Sequence, residues 1–149
     1  METTWILVAH RSGARIYERN LRSKRLALVS EISNPDGRKK DFELSGGQPG
    51  RAFDSKGRGR HSMSQQNPPT VQVAKTFAGH LASLLNDGRN SKRFSRIALV
   101  AEPKFLGRIE AKLSPPTKRL VCIRVEKDLA WMLDRDIQNY LNDPTRSPR

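Results

Sequence analysis

The chain has 149 residues, enough for one domain of ordinary size, and a formal net charge of +13. That charge makes a polyanion the first partner to consider, nucleic acid ahead of an anionic membrane, because no basic amphipathic helix and no apolar run of membrane-spanning length is present. One cysteine, Cys122, excludes a disulfide framework and, inside the apolar run LVCIRV, reads as a buried free thiol.

The opening METTWILVAH runs straight into a strand pattern with no charged leader or cleavage site, so a cytoplasmic protein is expected. Trp5 to Ala9 reads as a buried strand. Arg11-Ser12-Gly13 is a turn, and Ala14 and Ile16 alternate with polar residues through Arg19, as in a strand with one wet face. Asn20 to Lys24 turns again, and Leu26 to Ile32 gives a third strand. Short turns imply an antiparallel meander, since parallel pairing needs long crossovers.

Residues 33 to 69 break this regularity. They hold six of the ten glycines and four of the nine prolines, and only Phe42, Leu44, Ala52, Phe53 and Met63 are apolar. A polar stretch this long inside a domain is expected to be functional or disordered. From Thr70 a helical stripe begins: Val71, Ala74, Phe77, Ala78, Leu81, Leu84 and Leu85, with Asn86-Asp87-Gly88 as its C-terminal cap. Arg89 to Arg96 is a basic connection and Ile97 to Ala101 a buried strand. Pro103 opens a second helix with Phe105, Leu106, Ile109 and Leu113 as its stripe, and Pro115 and Pro116 stop it. Leu120 to Val125 is the fifth strand. Asp134 is expected to cap a last helix carrying Ile137, Tyr140 and Leu141. The fold expected is one α/β domain over 1–142, a mixed five-stranded sheet in the order βββαβαβα, with an insertion at 33–69 and a frayed tail at 143–149. Ribonuclease H-like domains share that order.

A metal-dependent nuclease of that kind would need carboxylates clustered on the sheet, but the first strand has none and Glu102 stands alone at the end of the fourth. His10, His61, His80 and one cysteine make no metal signature, so neither metal nor cofactor is expected, and His80 reads as an ordinary surface or boundary residue. The basic stretch is more informative. Arg51, Lys56, Arg58 and Arg60, followed by His61, alternate with small residues and can track a phosphate backbone that glycine lets the main chain approach. The bland alternative is a solvated insertion. Gly46-Gly47-Gln48 is the sharpest feature: two glycines free the backbone, and an exposed amide with a glutamine side chain can position water or an oxyanion at an ester such as peptidyl-tRNA. The alternative is a glycine turn with an exposed Gln48.

The run Pro49 to Ser55, then Gly57, Gly59-Arg60-His61 and Met63, resembles the bacterial host attachment protein family. Ala101 to Gly107 with Leu113-Ser114-Pro115 resembles its second block, and Glu126 to Leu129 its third. That family is similar in fold to the middle domain of archaeal and eukaryotic peptide-release factors, whose Gly-Gly-Gln loop enters the peptidyl transferase centre. The resemblance implies a module that binds the ribosome or tRNA, in rescue or hibernation, with Gly46, Gly47 and Gln48 as optional catalytic residues. The family name implies the alternative, attachment through an anionic surface ligand.

Overall fold

A computed structural model describes residues 2–20, 22, 25–38 and 69–142. Its strands are β1 (Thr3–His10), β2 (Gly13–Asn20), β3 (Ala27–Ser33), β4 (Arg96–Val100) and β5 (Val121–Val125). They form one sheet in the spatial order β3-β2-β1-β4-β5. β1–β2 and β2–β3 pair antiparallel, whereas β1–β4 and β4–β5 pair parallel. The mixed five-stranded α/β domain expected from the pattern is therefore the fold observed. Both outer ladders carry a register shift, at Ile16/Tyr17 against β3 and at Ile97/Ala98 against β5, while the two inner ladders run without one.

Four α-helices lie among the described residues: α1 (Pro69–Asn90), α2 (Pro103–Ala111), α3 (Pro115–Lys118) and α4 (Asp134–Asn142). Successive residues of a strand point to opposite faces, so the unbroken apolar run of β1 implies a cover on each side. Trp5, Leu7 and Ala9, with Ile97 and Leu99, pack under Phe77, Leu81 and Leu85 of α1 and Phe105, Leu106 and Ile109 of α2. Ile6 and Val8, with Ala98 and Val100, pack under Leu129 and under Ile137 and Leu141 of α4.

Several local expectations are corrected. α1 does not stop at Asn86-Asp87-Gly88 but continues to Asn90. Gly88 is buried, and an added Cβ would lie 2.7 Å from the Phe94 ring and 2.9 Å from that of Trp5, so glycine here permits close packing and does not cap. Asn86 ties α1 to the connection between α2 and α3: its Oδ1 accepts the Ser114 amide at 3.0 Å. Pro115 opens α3 instead of stopping α2, which ends at Ala111. Cys122 is exposed: it lies on the edge strand β5, at the register shift where Ile97 pairs with Val121 and Ala98 with Ile123. His80 is exposed, as expected.

The second face of β2 is not wet either. Tyr17 is 1% exposed and belongs to the core beneath α4. Arg15 reaches over that core: Nη2 donates to the carbonyls of Ala130 (2.8 Å) and Met132 (2.7 Å), and Nη1 to Asp134 Oδ1 at 2.7 Å. The Tyr17 hydroxyl donates to the same Asp134 oxygen. Burial, then that hydrogen bond, push the Tyr17 phenol well above its ordinary value of 10.0. Arg19 Nη1 reaches Asn142 Oδ1 at 2.6 Å, and the Leu26 amide reaches Gln138 Oε1 at 2.9 Å. Asp134, read as a helix cap, serves here as an anchor between β2 and α4.

Candidate functional site

β1, β4 and β5 are parallel, so their carboxyl ends, near His10, Ala101 and Val125, lie at one end of the sheet. In open α/β sheets that end is the ordinary place for ligands. The described residues on either side of 39–68 meet it as well. Gly37 packs so closely on the β1–β2 turn that an added Cβ would lie 2.0 Å from the Arg11 carbonyl oxygen, and Thr70 and Val71 of α1 share a pocket with His10 and Arg11. The residues expected to work, Gly46, Gly47, Gln48, Arg51, Lys56, Arg58, Arg60 and His61, lie outside the described residues.

His10 stands between two pockets. The first, about 270 Å³, lies between the β1–β2 turn and the starts of α1 and α2. Arg11, Lys104 and Arg108 line it, together with Glu102 and the apolar Val71, Ala74 and Phe105. The Glu102 carboxylate is occupied as the N-cap of α2, accepting the Phe105 amide at 2.6 Å, which explains a lone acid at the end of β4. Among the described residues no carboxylate pairs with Arg11, Lys104 or Arg108. The pocket is therefore cationic and suits an anion.

The second pocket, about 490 Å³, is bounded by the β1–β2 turn, the end of β3 and the turn 128–131. Its lining is of the opposite character: Glu31, Asp128, His10, Ser12 and Trp131, over Val8, Ala14 and Ile32. His10 Nδ1 accepts the Ser12 backbone N–H at 3.2 Å and lies 2.8 Å from Ser12 Oγ, while Nε2 is 3.6 Å from Asp128 Oδ2. Serine, histidine and aspartate in that order suggest a nucleophilic triad, but the Nδ1 lone pair is engaged by the main-chain N–H of Ser12. The geometry is that of a braced turn with polar edges facing the pocket. Sequence reading could not join His10 to Asp128, since no local period links the end of the first strand to a turn more than a hundred residues further on.

Among the described residues, no group of three or more His, Cys, Asp or Glu is placed to hold a metal ion, and no helix is long and apolar enough to cross a membrane.

The family model described as "Protein required for attachment to host cells" matches residues 5–141. No curated protein matches. A solved structure titled "Archaeal protein" is similar to the chain with a TM-score of 0.49 and 10% identity, over 98% of this chain and 35% of that one. This chain thus spans about a third of that protein's length. Classification with release factors, through the Gly-Gly-Gln triplet and the terms ribosome and translation, is corrected by these findings. The family that matches is the attachment family, and ester hydrolysis by Gly46, Gly47 and Gln48 rests on no described geometry.

Proposed function

We propose that this chain, which belongs to the family of proteins required for attachment to host cells, is a polyanion-binding module acting in the cytoplasm, with an RNA backbone as its ligand. Charge carries the reading: +13 over 149 residues, with Arg11, Lys104 and Arg108 converging on one pocket at the carboxyl end of the sheet. Arg51, Lys56, Arg58, Arg60 and His61 belong to the same proposal as further phosphate contacts. The ribosome and tRNA are the RNAs this reading names. A likeness in fold to ribonuclease H-like domains and to release-factor middle domains is part of it and says nothing about termination. The test is binding to ribosomes and to tRNA across a salt series. Affinity should fall steeply with salt, and Arg11→Gln, Lys104→Gln and Arg108→Gln combined should lower the slope of log affinity against log salt by about 2–3. Binding indifferent to salt or to the triple variant would sink the reading.

The family description favours a second reading, attachment through an anionic ligand on a host surface. Cell fractionation separates the two. Protein recovered outside the cytoplasm, together with loss of cell adhesion on deletion, would support the second against the first.

A further inference from the structure

We infer that the 490 Å³ pocket beneath Trp131 is a binding site for a neutral sugar ring, separate from the cationic surface. Trp131 is 74% exposed, which is unusual for the largest apolar side chain. It is also held in place, because its indole N–H donates to the Asp128 carbonyl at 2.8 Å. The turn that carries it is pinned from beneath by the Arg15 hydrogen bonds to Ala130 and Met132. A fixed, solvent-facing indole has already lost the freedom that stacking would otherwise remove, so it is a ready platform for a flat or weakly polar ring face.

The groups around the platform choose between ligand classes. The Glu31 carboxylate has no hydrogen-bond or ion-pair partner among the described residues. Asp128 uses Oδ1 to accept the Ala130 amide at 3.1 Å, which leaves Oδ2 facing His10. Ser12 offers a hydroxyl and His10 its Nε2 edge. Arg15 is occupied by Asp134 and two carbonyls. Among the described residues the pocket presents two carboxylates and no free cation, a lining that repels a phosphate and does not suit a nucleotide. Several acceptors and a few donors around an aromatic face match a ring bearing hydroxyl groups, each of which both donates and accepts. The volume lies within the roughly 300–1,000 Å³ of small-molecule sites.

The chain carries its own reporter. Its two tryptophans are Trp131, exposed, and Trp5, 5% exposed. The experiment titrates the full chain with neutral hexoses and N-acetylhexosamines, with the corresponding uronic acids, and with adenosine monophosphate. Tryptophan emission and saturation-transfer NMR are followed together. At least one neutral sugar should saturate in the millimolar range with a blue shift of emission, and its uronic acid should bind more weakly. Trp131→Ala should weaken binding by about tenfold or more in the NMR assay, and Glu31→Gln by severalfold, with the buried Trp5 emission unchanged as proof of folding. Retention on RNA should stay the same in both variants, so failure here is distinguishable from failure of the RNA reading. No saturation by any neutral sugar up to about 50 mM, or adenosine monophosphate binding at this pocket as well as any sugar, would overturn the inference.

Discussion

One face of the sheet is covered by α1, 22 residues long, together with α2; the other is covered by the nine residues of α4 and the irregular stretch before it. The first cover is fastened by apolar contact alone over most of its area, with Phe77, Leu81 and Leu85 fully enclosed. The second has a smaller core and depends on polar ties: Arg15 and Tyr17 to Asp134, Arg19 to Asn142, and Leu26 to Gln138. Dispersion and hydrophobic burial scale with area, so a short helix cannot match a long one by that route. Directional bonds from β2 make up part of the difference. They also explain why the smaller cover can carry a shaped pocket, since its turn is set by hydrogen bonds that fix position.

Substitutions can break or sharpen this comparison. The largest effect is expected on the apolar side. Leu81→Ala removes a fully buried side chain and should cost about 2–5 kcal/mol by denaturant titration. An equal loss from Ile137→Ala would mean that the two covers are apolar to the same degree. Next, Arg15→Met should cost about 1–3 kcal/mol, because two carbonyls and Asp134 lose their donor. Hydrogen exchange should speed up in 126–142 and not in α1, whereas uniform acceleration would show a single cooperative unit. Tyr17→Phe should cost about 1 kcal/mol. Its phenol is raised above 10.0 in the folded chain, so the unfolded chain loses this proton first and stability falls as pH rises beyond that value. Tyr17→Phe should flatten that part of a stability–pH curve. The smallest effect is Glu110→Gln. This acid holds Arg124 through two hydrogen bonds of 2.7 and 3.0 Å, raising the guanidinium's pKa, but Arg124 is half-exposed. A loss below about 1 kcal/mol, shrinking with added salt, is expected by calorimetry.

The strands and long helices were legible because burial imposes a period on a sequence, and Trp5 to Ala9 and Ala74 to Leu85 show theirs without ambiguity. What failed was every residue whose role is set by a distant neighbour. Gly88 near the end of a helical stripe looks like a cap until Trp5 and Phe94 arrive to fill the space its Cβ would take. Arg15 looks like the wet half of an alternation because α4, which covers it, lies more than a hundred residues away. Cys122 sits in an apolar run that happens to form the sheet's edge. At the site, Lys104 and Arg108 read as helix surface and His10 as the end of a strand, and only the topology joins them to Arg11. The residues singled out between 46 and 61 are outside the described residues, so their reading is neither helped nor harmed.

The register shifts of the two outer ladders have a bearing on self-association. A sheet grows by offering a straight, regularly spaced row of amides and carbonyls to an incoming chain. Here both terminal strands are set out of step with their inner neighbours, and β5, only five residues long, presents the charged Arg124. A sixth strand would find no even template on either margin. Copies of this chain brought together at high concentration are therefore poorly matched to join edge to edge.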